Sequence, residues 1–413
     1  MRTEERWLLR APTASEPLRT VEQLLAGVSA PGDRYELLAW STSLGTSLVV
    51  QLEPLERALA ARGISTKVFL LEATGGLGDA ATLRRLASGV IVESGPIGGV
   101  VGAMRLGRRH GRRVLAFEVG AGGTRIAIEP EDGWDMEPLT VGPGAAAFQA
   151  PTDVAATLHE VAAGVWRELG ARGAAPRDLT LVAYGAVAPA HAAALADVLG
   201  MTRVLVPPAP AHFGAAGILM ADARYDATQG WIGDVPETGD AVPGLDDQIG
   251  LVRDGLRDVV SALLGPQDEL HFDDYAYLRR PESRRTAKVR LRTETVSEVE
   301  TLDLGSFFSA LKAGDEPAPR KGPVPLTPAL LRDAFSRVLG QGVSTGAVEV
   351  VAVGSSCRVP LGVTLARALG NRGRKPGEFP GPLRVEEDGA VTLVPEGWRA
   401  RIHDDGCLEM SRI

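Results

Sequence analysis

From residue 114 to 223 short apolar runs alternate with helical segments, and this alternation constrains the fold more than any other feature. VLAFEVG (114–120) and TRIAIE (124–129) read as strands joined by a glycine-rich loop. A helix follows at 153–169. There Val154, Leu158, Val161, Val165 and Leu169 recur at helical spacing, Thr152 can cap the start and Gly170 ends it. LTLVAYG (179–185) is a strand, and PAHAAALADVLG (189–200) a helix with Pro189 in its first turn. RVLVPP (203–208) is a strand and AHFGAAGILMADA (211–223) a helix. Strands and helices in turn, with short links, predict an α/β layer structure.

Upstream, VEQLLAG (21–27) and residues 47–63 read as helices, the second kinked near Pro54. TKVFLLE (66–72) and GVIVE (89–93) read as strands, and SGPIGGVVGAMRLGRRHG (94–111) as a glycine-rich turn running into a helix. After about residue 230 the composition shifts. GWIGDVPETGDAVPG (230–244) reads as a linker, followed by a helix with Leu245, Ile249, Val252, Leu256, Val259 and Leu263 on one stripe. YAYLRR and TAKVRLRTE flank a turn at PESR. A further helix starts at Thr327-Pro328 with a stripe of Leu331, Ala334, Phe335 and Val338. AVEVVAV, AVTLV and the hairpin WRARI-HDDG-CLEM complete an α+β or mostly β C-terminal part. With 413 residues the chain suits two or three domains.

Charge and composition narrow the function. A net charge of −8 argues against a nucleic-acid partner, and the basic runs at 105–113 and 279–285 lack interleaved aromatics and read as solvated surface. None of the 5 lysines follows a glycine, so a Gly-Lys-Ser/Thr phosphate loop is excluded. Two distant cysteines, no signal-peptide pattern and no bilayer-length apolar run suggest a reduced, cytoplasmic setting without a membrane partner. The six histidines show no HxxxH or CxxC grouping, so no metal is expected.

SGPIGGVVGA (94–103), AYGAVAPAHAAALADVLGMTRVLVPPAP (183–210), HFGAAGILMADARYDAT (212–228) and the tail GPLRVEEDGAVTLVPEGWRARIHDDGCLEMS together resemble the hydantoinase A/5-oxoprolinase/acetone carboxylase family. LEATGGL (71–77) stands where that family usually has an Asn-Gly-Gly turn, and LLRAPTASEPLRTVEQLLAG is similar to a stretch inside its N-terminal domain. The resemblance implies an α/β fold with an actin/Hsp70/sugar-kinase-like (ribonuclease H-like) core. Residues 1–113 would be the remnant of an incomplete first half and 114–230 the second half. Residues 231–413 would be a C-terminal, β-rich α+β domain. It also implies ATP with a divalent metal, held between two glycine-rich hairpins, and activation of a cyclic amide or carboxylation of a ketone.

Departures from the family pattern alter that expectation. No Asp-x-Gly-Gly-Thr hairpin precedes residue 94, and the chain reads as starting after it. At the second hairpin Glu118, Ala121 and Arg125 replace the family's Asp, Gly and Asp. Glutamate displaces a metal-binding carboxylate by a methylene, Ala121 adds a Cβ where backbone should approach a phosphate, and Arg125 reverses a charge. Ala186 and Ala188 stand near Gly185 where the family tends to have glycine. ATP and Mg are therefore expected to be lost, with no cofactor in their place.

Glu118, at a strand end beside a glycine turn, can act as a general base or simply bond to its own loop. Thr124 can offer a hydroxyl to the same cleft or merely start a strand. Arg125 suits a carboxylate or phosphate, or lies solvated on its strand. His191, in the first turn of its helix, is kept neutral near free N–H groups and can shuttle protons or simply pack. Ser94, Gly95, Gly98 and Gly99 form either an anion-binding turn at a helix start or a helix–helix packing surface, with Glu93 just before them. Gly120, Gly122, Gly123 and Gly185 shape the two loops around the cleft, and Glu72 is an outlying carboxylate. Cys357 lacks a histidine partner and reads as buried and inert.

The expected function is a hydantoinase/oxoprolinase-like hydrolase or cyclase, working without ATP on a small amide, lactam, imide or carboxylate. Hydrolysis, cyclisation and isomerisation all suit that site. Two alternatives stay open: a non-catalytic subunit paired with a full-length relative, and an ATP-dependent hydrolase whose missing phosphate grip comes from another chain. A homo-oligomer or a hetero-oligomer with a family member is the expected assembly.

Overall fold

The computed structural model describes residues 6–10, 35–40, 56–61, 69–72, 75–79, 94–120, 123–129, 139–140, 148, 154–171, 175–267, 269–283, 286–297, 326–339, 346–361, 374–387 and 389–413. The helix expected at 21–27, the strand at 89–93, and Glu93, Ala121 and Gly122 lie outside them. The chain divides into two compact units, 1–221 with 361–413, and 222–360.

The first unit opens with β1 (Arg6–Arg10) parallel to β2 (Tyr35–Trp40), and β3 (Phe69–Leu71) antiparallel to β4 (Leu77–Asp79). Helix α1 runs Ser94–Arg109. Then come β5 (Val114–Gly120), β6 (Gly123–Ile128), β7 (Leu139–Thr140), α2 (Val154–Ala171), β8 (Thr180–Tyr184), α3 (Ala188–Leu199), β9 (Arg203–Val206) and α4 (Phe213–Met220). Residues 94–99, expected as a turn, are instead the first turns of α1. Glycine lowers helix propensity by only about 1 kcal/mol, which tertiary packing overrides here. Gly200 closes α3 in the left-handed region (φ 70°), with its N–H turned back to Ala196 and Asp197.

The second unit is a four-stranded antiparallel sheet flanked by helices. Its strands are β10 (Ala223–Val235), β11 (Glu269–Arg279), β12 (Thr286–Ser297) and β13 (Val348–Val359), in the order β12-β11-β13-β10. The expected hairpin around residues 281–284 is formed by β11 and β12. The segment from 230, expected as a linker, continues β10 to Val235. Its exposed face and Gly230 and Gly233 hide the strand signal.

Helix α5 (Leu245–Leu264) carries Asp246 and Asp247 in its first turn, where the helix dipole favours acids. It buries Leu245, Ile249, Val252, Leu256 and Val260; Val259, expected on that stripe, is exposed, because the helix rotates past it by one position. In α6 (Pro328–Leu339), Leu331, Ala334 and Phe335 are buried as expected. Arg253 grips the fully buried Asp274 through two bonds, Nε–Oδ1 2.9 Å and Nη2–Oδ2 2.6 Å, and Ser355 donates to the same carboxylate at 2.9 Å. Cys357 is buried, and burial pushes its thiol up to about 12, in line with an inert role.

The last segment returns to the first unit as β14 (Gly377–Pro380), β15 (Leu383–Glu387), β16 (Ala390–Val394), β17 (Trp398–Ile402) and β18 (Leu408–Arg412). The sequence placed this tail in one C-terminal part with 231–360. Its backbone pairs elsewhere: β18 lies antiparallel to β9 with Met410 opposite Val204. An eight-stranded sheet results, ordered β14-β17-β18-β9-β8-β5-β6-β7 and parallel only at β9-β8-β5. Each face has its own core. Leu115, Phe117 and Val119 pack with α2 and α3, whereas Val114, Ala116 and Tyr184 pack with α1 and α4. Period-two alternation along a doubly covered strand produces that division.

Candidate functional site

The site lies at the end of β5, in the middle of the first unit's sheet. Gly120 pairs with Gly123 across the hairpin, and Gly123 has φ +104°, a conformation natural to glycine. Register places Glu118 opposite Arg125 on β6 and beside Tyr184 on β8. Pleat alternation puts Glu118 on the face of Val114 and Ala116, the α1 side. A Cβ on Gly120 would stand 3.8 Å from the Glu118 Oε1, an ordinary contact.

Glu118 is a poorly solvated acid. Its side chain is 18% exposed and that of Arg125 24%, and Arg125 Nη1 stands 3.6 Å from Oε2. That separation is ion-pair range but too long for a hydrogen bond, and among the described residues the buried Oε2 has no hydrogen-bond partner. Burial therefore prevails over the guanidinium's attraction and lifts the carboxyl to about 7. Tyr184 is raised well above its ordinary value, first by burial and then by the adjacent acid, so its phenol remains protonated. Sequence reasoning passed over Tyr184, since nothing in LTLVAYG separates a site tyrosine from a core one.

The other expected residues divide between the two faces. Thr124 pairs with Val119, is fully buried and shares the α2–α3 face. His191 sits on α3 with its ring 5.3 Å from that of Phe148, which also belongs to that core. Its imidazole is shifted down chiefly by burial, with a backbone hydrogen bond at Phe148 opposing, rather than by the helix start alone. The pleat therefore sets Glu118 and Arg125 on one side of the sheet and Thr124 and His191 on the other.

Gly185 (φ +90°) lets the chain leave β8 against β5. A Cβ there would meet the Val119 carbonyl oxygen at 2.6 Å, and that same oxygen accepts from the Val187 N–H at 3.2 Å. Ser94 and Gly95 begin α1. Gly98 and Gly99 lie in its interior as packing surfaces: a Cβ on Gly98 would stand 2.3 Å from the Gly214 carbonyl oxygen, and one on Gly99 2.3 Å from the Tyr184 ring. Glycines in α1 thus bring Tyr184 and α4 close, a role the sequence left equal with anion binding. Glu72 ends β3, where its N–H and carbonyl close the turn at Gly75 and Gly76.

A mixed α/β sheet with a glycine hairpin and an acid–guanidinium pair at its central strand end is the class of protein defined so far. The hydantoinase/oxoprolinase family model matches residues 45–130 and 137–227, and this part of the chain is similar to that family. Over 88 residues it is 33% identical to an uncharacterized protein of Methanocaldococcus jannaschii, a match spanning 21% of this chain and 13% of that relative's length. Its fold is similar to the ATP-dependent caprolactamase of Pseudomonas jessenii (TM-score 0.61, 15% identity, 95% of this chain and 74% of that one). It is also similar to nucleotide-free acetone carboxylase (TM-score 0.52, 14% identity, 88% and 67%). Among the described residues, no helix is long and apolar enough to cross a membrane.

Proposed function

We propose that the first unit carries an acid/base site for a C–N bond of a small amide, lactam or imide, with Glu118 as the proton carrier and no nucleotide in the reaction. One observation carries this reading: Glu118 is a carboxyl near the end of its strand, held near pH 7 by burial, 3.6 Å from a guanidinium. A general base works best when its pKa lies near the operating pH.

In the hydrolytic direction, ionised Glu118 takes a proton from water as the water oxygen bonds to the carbonyl carbon. Arg125 steadies the negative charge growing on the carbonyl oxygen. As the C–N bond breaks, Glu118 returns the proton to nitrogen, and a carboxylic acid and an amine remain. Cyclisation is the same path reversed. Tyr184, kept neutral, walls the acid on the β8 side.

The family's Mg-ATP does not fit these residues. The Arg125 guanidinium stands 3.6 Å from the Glu118 carboxylate and already places a fixed positive charge where a divalent cation would sit. The actin-like character of the sheet, and a homo- or hetero-oligomeric state, belong to the same proposal.

Turnover of a lactam and imide panel tests the reading, alongside calorimetry with Mg-ATP. Expected are hydrolysis or ring closure without nucleotide, a rate profile with a midpoint near 7, and about a 100- to 10,000-fold lower kcat in Glu118→Gln. Tight Mg-ATP binding that disappears in Glu118→Ala would overturn it.

A further inference from the structure

We propose that the first unit also holds a transition-metal site made by His110, His403 and Glu409, independent of the Glu118 chemistry. His110 follows the end of α1, while His403 and Glu409 flank the β17–β18 turn. The fold gathers one donor atom from each within 4.8 Å of one another. His403 Nε2 lies 2.9 Å from Glu409 Oε2, and the two imidazoles meet edge-on with centroids 4.7 Å apart.

The surroundings fit a cation. Nε2 of His110 is buried and, among the described residues, has no partner within hydrogen-bond geometry, a costly state for a polar atom unless something else occupies its lone pair or proton. Asp405 Oδ2 lies 3.7 Å from it, beyond hydrogen-bond range. Asp405 is held by the Cys407 N–H at 3.0 Å and by Arg109 at 3.0 Å, on the Nε2 side of His110. Arg203 stands 3.7 Å from Oε1 of Glu409, which leaves Oε2 to face the two rings. Arg109 and Arg203 balance Asp405 and Glu409, so the cluster without a metal is near neutral when both histidines are uncharged.

Two imidazoles and one carboxylate form a borderline nitrogen–oxygen donor set. It suits zinc, cobalt(II) or nickel rather than calcium or magnesium, with water as a fourth ligand. Four-coordinate zinc sets its donors about 3.4 Å apart, given metal–ligand lengths of about 2.0–2.1 Å. The donors here need only short side-chain movements to reach that spacing. A metal so placed would tie the C-terminal hairpin to the end of α1.

Cobalt(II) titration of chelator-treated full-length protein tests this through the visible absorption of a four-coordinate ion, with zinc displacement and melting temperature as further readouts. One equivalent should bind, be displaced by zinc and raise the melting temperature. His403→Ala and Glu409→Gln should each weaken binding at least about tenfold. His159→Ala, on the exposed face of α2, should bind like the parent protein. Circular dichroism checks that each variant is folded, and the isosteric Glu409→Gln serves if His403→Ala is not. No saturable binding, or binding unchanged in the folded variants, overturns the proposal.

Discussion

Glu118→Gln removes an ionisation while keeping the shape of the protonated acid, and its effect on stability follows from the buried carboxyl. The folded group titrates at about 7 and the unfolded one near 4.5. A raised carboxyl means that the native state holds its proton after the unfolded chain has lost one. The stability it contributes is therefore complete at acid pH and is lost as pH rises from 4.5 through 7. The full difference is about 3 kcal/mol, at 1.36 kcal/mol per pH unit. Between pH 6 and 8.5, a window above the isoelectric point of 5.5, about 1.4 kcal/mol of that remains. Because the side chain is partly open, these figures are ceilings. Urea unfolding of both proteins at the two pH values should show the parent losing more stability than Glu118→Gln by about that amount. Infrared difference spectra should show a protonated carboxyl band that vanishes near pH 7 in the parent and is missing from the variant. Equal pH slopes in the two proteins, or a band already lost by pH 5.5, would refute the reasoning.

Gly217→Ala is a test of sign. In a helix interior this change ordinarily stabilises by about 1 kcal/mol, yet here the new Cβ would lie 1.7 Å from the Gly98 carbonyl oxygen. A loss of about 1–3 kcal/mol is expected from the forced parting of α1 and α4, and a raised melting temperature would contradict the packing described. Asp274→Ala should cost about 3–5 kcal/mol, because Arg253 would be left charged and buried. Replacing both partners with apolar residues should recover much of that loss in denaturant unfolding, and no recovery would count against the pair being the cause.

The strands and helices of 114–223 were legible because each buries a regular stripe: β8 is buried throughout and α2 repeats every three or four residues. Glu118 stood out for an equally local reason, as an acid between an apolar strand and glycines. Its unpaired oxygen did not, because that depends on Arg125, Tyr184 and the covering helix together. Residues 94–99 misled because glycine marks turns by local propensity, whereas here it permits a helix to touch α4 and Tyr184. The last part of β10, from Gly230, reads as a linker because it is exposed, polar and interrupted by glycines. The return of β18 to β9, and the meeting of His110 with His403, join opposite ends of the chain. No periodicity within a window of a dozen residues can report such pairings.

The seam between α1 and α4 has a bearing on how this chain will respond to broad mutagenesis. Main chain lies on main chain there, with Gly98 and Gly217 as the points of approach, so no compensating side-chain change can restore the fit. A saturation library selected for any trait of the folded protein will show these positions as invariant. Such intolerance would mimic the imprint of a reaction centre while reporting only how near two backbones must come.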